Sequence, residues 1–442
     1  MRFNDHIHNN AYPASYYTAT CNDLDGFSRL SGDERVDVCI IGGGFSGIAT
    51  ALHLSERGFK VAVVEQNLVG WGASGRNGGQ IIGGYGHALS DHKKMVKTFG
   101  QAGGDSVWDM GVECVDIITQ WVEKYNIECD LRFGYFDAAI KQSDMVNLTK
   151  AAEALAAKNY PHECKIVPAS EVQDYVASAR YVGGLTNEGW GQVHVLNLLL
   201  GEARAAENLG ARIYENAEVI DIVHGDKSPD GKSKVVTDCG TITSDYVVVT
   251  GNGYLRDLVP HLASRVLPAG SYIIATEPLT EAQVAATLPQ DYAVCDQRWA
   301  LDYFRLSKDN RLLFGGLANY SGRHPRNISS TLVPKMLRVF PHLKDIKIDF
   351  EWGGFMGIGL NRIPQVGRLS DTVYFATAYG GHGVAPTHMS AKLIAEAIAG
   401  QAERYDILAA IKHPAFPGGK HLMQPAYTIG MLYYKMRDII GW

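Results

Sequence analysis

Residues 36–66 read VDVCIIGGGFSGIATALHLSERGFKVAVVEQ, and this stretch decides the fold. An apolar strand, Val36–Ile41, runs into Gly42-Gly43-Gly44-Phe45-Ser46-Gly47, a G-x-G-x-x-G turn. An amphipathic helix follows to about Arg57 and stops at Gly58; a second apolar strand, Val61–Val64, then ends at Glu65. Each part has a physical task. Gly42 permits the tight turn, Gly44 lets the backbone approach a pyrophosphate, and Gly47 lets the helix pack closely on the strand. The helix N-terminus offers unpaired N–H groups and partial positive charge to phosphates. Glu65 is placed to accept hydrogen bonds from ribose hydroxyls. A bare glycine turn is more often just a loop, but the flanking elements here all sit at the spacing of a dinucleotide site.

Working outward, 442 residues exceed one ordinary domain, so two are expected. With 46% hydrophobic and 20% charged residues, the composition is that of a soluble globular protein. A net charge of −6 gives no electrostatic footprint for nucleic acid or an anionic membrane. The seven cysteines are scattered and never spaced C-x-x-C, against a disulfide framework, a zinc ribbon or a dithiol centre. Cys39, inside the first strand, reads as a small buried hydrophobe. The polar start MRFNDHIHNN shows no secretory signal and no apolar run is long enough to span a membrane, so a cytoplasmic location is expected. No metal motif is present.

Residues 1–34 read as a turn-rich leader lying across the fold. After the first β-α-β unit comes Gly70-Trp71-Gly72-Ala73-Ser74-Gly75-Arg76-Asn77-Gly78-Gly79-Gln80, then Gly83-Gly84, a glycine density only an extended loop tolerates. Helices are expected at Val107–Lys124 and Asp144–Ala157 around a short strand at Leu131–Ala138. A helix at Val193–Asn208, strands at Arg212–Tyr214 and Val219–Ile222, and a hairpin about Asp230-Gly231 with strand Lys234–Asp238 follow. Tyr246–Thr250 reads as a buried parallel strand stopping at Gly251-Asn252-Gly253, where doubly wound sheets place ligands. Strands at Tyr272–Thr276, Asp302–Leu306 and Arg311–Gly315 suggest an antiparallel sheet, with helices near 280–288 and 331–340. Strand Val373–Ala376 leads into Ala378-Tyr379-Gly380-Gly381-His382-Gly383, after which Pro386 is expected to open a helix ending at Ala399. A short amphipathic helix, Ile429–Ile440, closes the chain.

Strand, glycine turn and acid do not separate NAD from FAD. A single complete fingerprint, the 70–84 loop directly after the ribose-binding strand, and the Gly380–Gly383 turn with its helix N-terminus together favour FAD. The markers Ser15-Tyr16-Tyr17, IIGGGFSG, VGWGASGRNGGQ, GWGQVHVLNLL, VVVTGNG, EWGGFMG with NRIPQVGRL, AYGGHGVAPTHMSAKLIAEAI and the closing FPGG with MLYYKMRD run the whole chain. On these the chain resembles the D-amino-acid-oxidase-type family of FAD-dependent amine oxidoreductases, and within it the branch acting on gamma-glutamyl-amines.

The resemblance implies an α/β fold: an FAD-binding Rossmann-like domain (36–92, 190–258 and 354–412) interleaved with a substrate domain (93–189 and 259–353) built on a mainly antiparallel sheet plus helices. Residues 1–35 and 413–442 are expected as terminal extensions packed on the body. FAD would lie extended and non-covalent, with Gly42–Gly47 at the pyrophosphate and Glu65, flanked by Gln66, at the adenosine ribose. Val219 would meet adenine through its main chain, Gly251 would close over the cofactor, and the Ala73–Gln80 loop and Gly380–Gly383 would surround the isoalloxazine. The implied reaction oxidises a C–N bond: hydride passes to flavin N5, and the imine hydrolyses to an aldehyde or ketone plus amine or ammonia.

A gamma-glutamyl-amine such as gamma-glutamylputrescine is the expected substrate, with oxygen or an electron carrier as acceptor. A D-amino acid or sarcosine/glycine-type oxidoreductase, and a non-catalytic flavin-binding partner protein, are the alternatives. The neutral amine needs a low-dielectric pocket, for which Trp71, Tyr85, Trp299, Tyr303, Trp352 and Tyr379 are candidate walls, though each also fits ordinary core. His382 is a candidate flavin or substrate contact. Arg76 would balance charge near the reduced flavin or cap its loop, and Arg362 would meet a substrate carboxylate or lock domains. Arg298 and Arg305 are further carboxylate candidates, and His194 and Asn197 read as capping residues.

Overall fold

A computed structural model describes residues 11–85, 92–298, 301–319, 325–419 and Leu422. Trp299 and the expected helix Ile429–Ile440 lie outside the described residues.

The nucleotide-type pattern of residues 36–66 builds the centre of the first sheet. Strand Glu34–Ile41 pairs in parallel with Val61–Val64 on one side and Thr241–Val249 on the other. Arg212–Tyr214 and Val373–Thr377 extend it in parallel at the two ends, and Gln365–Ser370 adds an antiparallel edge. The strands are apolar on both sides because both faces are covered. Val38, Ile40, Val63 and Val248 pack with the helices Phe45–Ser55, Val195–Asn208 and Val384–Ile398. Cys39, Ile41, Val64 and Val249 face the opposite cluster with Leu255 and Leu262. Cys39 is the buried hydrophobe expected, its thiol pushed up by burial. The expected hairpin forms from Val219–Val223 and Ser233–Thr237, with Gly231 left-handed at φ 67.

The second sheet has nine strands, in the order Ile348–Ile358, Leu267–Thr276, Leu312–Asn319, Tyr303–Leu306, Ala293–Asp296, Arg132–Ala139, Gly183–Gln192 and Gln80–Ile81, with Ile166–Pro168 beside Gly183–Gln192. All pairs are antiparallel except Ala293–Asp296 with Arg132–Ala139. That parallel pair joins two widely separated stretches of chain into one sheet. Gln80–Ile81 belongs here although it follows directly from the first sheet's glycine loop.

Several expectations are corrected. The helix expected from Val107 begins at His92 and bends at Gly100, whose φ is 75. Pro386 is the third residue of Val384–Ile398, not its first; its missing N–H is still one the helix start leaves unbonded. Strands Gly183–Gln192 and Ile348–Ile358 were not expected at all. Their glycines lack strand propensity, yet they admit neighbouring rings: a Cβ on Gly184 would stand 2.2 Å from Phe136 Cζ, and one on Gly353 2.2 Å from Tyr272 Cδ1.

The described part of the leader, from Ala11 onward, packs on the body. Ser15 caps the short helix Tyr16–Ala19, Tyr16 and Tyr17 are buried, and the Glu215 carboxylate accepts from the N–H groups of Phe27 (3.0 Å) and Val69 (2.7 Å).

Candidate functional site

Where strand Glu34–Ile41 ends, Gly42 turns the chain at φ 109 and donates its N–H to Val64 O (2.9 Å). Gly47 sits against that turn: a Cβ there would stand 1.9 Å from Gly42 O and 2.9 Å from Thr250 Oγ1. Thr250 Oγ1 donates to Ile41 O (2.8 Å), fastening the neighbouring strand end and Gly251 to the loop. Gly44 is the N-cap of helix Phe45–Ser55 and supplies no side-chain cap. Glu65 Oε2 accepts the Gly43 N–H (2.7 Å) and Oε1 the Asn67 N–H (2.9 Å), so its carboxylate braces the loop backbone. Burial pushes the Glu65 carboxyl up. Gln66 follows it, half-buried, and Val219, also half-buried, starts strand Val219–Val223.

The 70–84 loop folds over this helix start. Ser74 Oγ accepts the Phe45 N–H (3.0 Å), and Ala73–Gly75 forms a short 3₁₀ turn beginning at Gly72. Asn77 Oδ1 accepts the Gly79 N–H (2.9 Å), and Gln80 Nε2 donates to Val294 O in the second sheet (2.9 Å). Arg76 bridges the sheets: Nε donates to Trp71 O (2.6 Å), Nη1 to Gly353 O (3.2 Å), and the guanidinium lies 4.2 Å over the Trp71 ring. Arg76 Nη2 is buried without a partner among the described residues.

The C-terminal turn comes to the same place. Asn252 Oδ1 accepts the N–H of Ala378, whose φ is 61, and Gly380 and Gly381 continue left-handed at φ 66 and 89. Ser46 Oγ donates to Tyr379 OH (2.8 Å), and His382 Nε2 donates to Gly83 O (3.1 Å). Gly383 then caps helix Val384–Ile398, again with no side-chain cap. The two glycine coils therefore touch each other and the nucleotide turn. Asn252, in the left-handed conformation at φ 48, pins the C-terminal turn and was missed from sequence; an asparagine between two glycines was the available signal.

The aromatic candidates divide. Trp352 is buried, donates Nε1 to Arg76 O (3.0 Å) and meets Tyr17 edge-on at 5.6 Å. Tyr303 presses on the loop: its Cε2 lies 2.6 Å from where a Cβ would stand on Gly78, while its OH reaches Ser271 Oγ (3.2 Å). Trp71 Nε1 is bonded to Ala11 O in the leader, and Tyr85 is buried.

The arginine candidates are mostly structural. Arg305 is buried and donates to Gly78 O (2.7 Å), Val193 O (2.8 Å), Leu306 O (3.0 Å) and Tyr17 OH (3.1 Å), so it is a scaffold hub and not a carboxylate site. Arg298 is paired with Asp296 (2.6 Å) and Asp302, which equally removes it from that role. Arg362 lies in the turn after strand Ile348–Ile358, left-handed at φ 55, with its N–H on Gly359 O (3.0 Å). His194 caps its helix as expected, Nδ1 accepting the Asn197 N–H (3.1 Å).

These residues fit an extended flavin dinucleotide. Two helix starts without N-cap side-chain bonds, the first with its Phe45 N–H taken by Ser74, offer their remaining N–H groups to anionic atoms, Arg76 keeps a buried donor unpaired among the described residues, and the turn excludes any side chain at Gly47. Among the described residues no cluster of potential metal ligands occurs, and no helix is long and apolar enough to cross a membrane.

Comparison with known proteins agrees. The family model described as FAD dependent oxidoreductase matches residues 37–397. The chain is 40% identical to gamma-glutamylputrescine oxidoreductase of Escherichia coli (strain K12), over 97% of this chain and 99% of that one. It is 38% identical to the probable oxidoreductase OrdL of Haemophilus influenzae, over 96% and 97%. Among solved structures, glycine oxidase from Geobacillus kaustophilus superposes with a TM-score of 0.70 at 20% identity, covering 86% of this chain and all of that one. The strand–turn–helix start, the two joined coils and a match spanning most of the sequence lead to one conclusion: this chain belongs to the FAD-dependent oxidoreductase family and is an FAD-using enzyme.

Proposed function

We propose that the protein oxidises the C–N bond of an amine, with a gamma-glutamyl-amine such as gamma-glutamylputrescine as substrate. The observation that carries this reading is the junction of the two coils, His382 Nε2 on Gly83 O, which brings both glycine turns together beside the nucleotide turn. The 40% identity to gamma-glutamylputrescine oxidoreductase supports the choice of amine.

In this reading the helix start at Phe45 and the Gly42–Gly47 turn hold the diphosphate, and Glu65 with Gln66 and Val219 hold the adenosine end. Glu65 would exchange its bond to Gly43 for ribose hydroxyls. The residues Gly72–Gln80 and Gly380–Gly383 would surround the ring system, and Gly251 would close over the cofactor. The bound flavin supplies a two-electron acceptor for the C–H next to the substrate nitrogen. The protein must present that nitrogen unprotonated. Tyr303 and Trp352 exclude water there and lower the amine's pKa by desolvation, while His382 donates toward the Gly83 carbonyl and fixes the ring-side wall. Arg76 contributes positive charge where negative charge grows. Arg362, in its left-handed turn, would meet a substrate carboxylate or lock the domains. The C-terminal glycine turn carries no cysteine, which supports non-covalent flavin. Residues 36–92, 190–258 and 354–412 form the cofactor domain in this proposal, and 93–189 with 259–353 the substrate domain.

An anaerobic flavin-reduction screen tests it. Glutamylated putrescine should bleach the flavin fastest. Faster bleaching by D-amino acids or N-methyl amino acids would overturn the substrate, and no bleaching by any amine would favour a non-catalytic flavoprotein.

A further inference from the structure

We propose that Asp137 recognises a substrate ammonium remote from the reacting C–N bond, the α-ammonium in a gamma-glutamyl-amine, with the Asn187 amide as a neighbouring donor. This rests on the amine-oxidising reading above and names the side chains that select its substrate.

The argument begins with sheet register. In the parallel joint of the second sheet, Asp137 stands opposite Cys295, and Cys295 stands opposite Tyr303 on the next strand. Paired residues share a face, so these three side chains form one lateral row. The opposite face carries Phe136, Ala138, Val294 and Phe304 into an apolar core. The row ends at the flavin loop, because the Tyr303 ring rests on Gly78. Two strand spacings of about 4.8 Å separate Asp137 from Tyr303, roughly 10 Å along the row. Tyr135, two residues before Asp137 and on its face, meets the Trp190 ring at 5.3 Å. Trp190 in turn packs on Gly83, the acceptor of His382: its Nε1 lies 2.8 Å from where a Cβ on Gly83 would stand. Beyond Asp137, Ala139 and Leu185 are covered by Met145 and Leu148 of helix Gln142–Ala157. The face is thus fenced by the flavin loop, by aromatic rings and by a helix.

Within that fence stands a carboxylate without a cation. Asp137 Oδ1 accepts from Gln297 Nε2 (2.9 Å), and among the described residues no ion pair neutralises it. Burial pushes its carboxyl up to about 7. Asp137 is not fully closed off from solvent, so a ligand can reach it. Asn187 lies opposite Tyr135 in register and is 2% exposed. Its Oδ1 accepts from the Gly189 N–H (2.9 Å) and Tyr160 OH (3.1 Å), while its Nδ2 is buried with no partner among the described residues. An acceptor that lacks a cation beside a donor that lacks an acceptor matches an ammonium next to a carboxylate, the pattern of an α-amino acid end. The aromatic flank adds attraction for the cation.

The test compares gamma-glutamylputrescine with glutarylputrescine, which differs only in lacking the α-ammonium. Both are titrated calorimetrically into the holoprotein with its flavin already reduced, so that binding is read without turnover. Wild type should prefer the glutamyl ligand by about 10- to 100-fold, the scale of a hydrogen bond to a charged group. Asp137→Asn should remove that preference and leave glutarylputrescine within about twofold, with the flavin spectrum unchanged. Equal wild-type affinity for the two ligands, or a variant that weakens both alike, overturns the proposal; the wild-type comparison needs no variant to fold. If the preference holds but neither amine reduces oxidised flavin, the catalytic reading fails and the Asp137 site stands. If both amines reduce it and the preference is absent, the reverse holds.

Discussion

Gly47→Ala is the sharpest perturbation of the nucleotide turn. A Cβ at that position would stand 1.9 Å from Gly42 O and 2.9 Å from Thr250 Oγ1, and neither atom can retreat freely. The Gly42 turn is held by its N–H bond to Val64 O (2.9 Å), and Thr250 by its bond to Ile41 O (2.8 Å). Ordinary contact requires the helix start to move away from the strand end by roughly 1.5 Å, the overpacking regime that costs about 1–3 kcal/mol. In the proposed reading the helix start would present N–H groups to the diphosphate, so the displacement should appear as weaker FAD binding, about 5- to 150-fold if the whole cost falls on the bound state. Apoprotein prepared from wild type and variant is titrated with FAD, following quenching of flavin fluorescence, with melting temperature measured in parallel. Gly58→Ala is the control: Gly58 ends the same helix at φ 82 with nothing within 4 Å, so it carries backbone strain but no clash. Gly47→Ala binding FAD as tightly as wild type, or Gly58→Ala losing as much affinity, would refute the close-packing argument.

Other outcomes follow from the same geometry. Arg76→Met removes a buried positive charge whose Nη2 is unpaired among the described residues, and should lower the flavin midpoint potential by about 20–60 mV, the two-electron equivalent of about 1–3 kcal/mol, read by reductive titration against a reference dye. His382→Ala breaks the bond to Gly83 O and should slow anaerobic flavin reduction about tenfold while the protein stays yellow; His382→Gln, which keeps a donor, should recover most of the rate. His194 is held neutral by burial and then by Arg305, its pKa lowered to about 4. Because the folded value lies below the unfolded one, its stability contribution is complete above about pH 6.5 and is lost as pH falls toward 4. His194→Asn replaces the capping Nδ1 with an amide oxygen that still accepts the Asn197 N–H, and should flatten the fall in melting temperature between those limits; an unchanged slope would assign the acid sensitivity elsewhere.

Legibility in the sequence tracked how local the signal was. The turn at Gly42–Gly47, strand Val61–Val64 and strand Arg212–Tyr214 were readable because each is fixed by neighbours within a few residues. The strands Gly183–Gln192 and Ile348–Ile358 were not, since their glycines are there for rings on other strands, Phe136 and Tyr272, and carry no pattern of their own. The same distinction separates the arginines. Nothing near Arg305 in the sequence announces that its partners are Tyr17, Gly78 and Val193, each more than a hundred residues away, so a buried scaffold arginine looked like a carboxylate site. Asp137 drew no attention for a related reason: its neighbours Cys295 and Tyr303 come from the other half of the second sheet.

That parallel joint also explains how one sheet can serve chemistry fixed by another. The loop from Gly70 to Gly84 leaves the first sheet, and its residues Gln80–Ile81 finish as an edge strand of the second. Arg76 ties the loop to Gly353, Arg305 ties Gly78 to Val193 and to the leader's Tyr17, and Gln80 ties it to Val294. Val294 neighbours Cys295, the middle member of the row that ends in Asp137. Asp137, the proposed grip on the far end of the substrate, is therefore referenced, through a few hydrogen bonds and one lateral row, to the loop proposed to wall the flavin ring. Rotation of one sheet against the other would have to break the Arg76, Gln80 and Arg305 bonds together, so on the proposed reading the separation between Asp137 and the flavin would be set by the fold and would act as a ruler for substrate length.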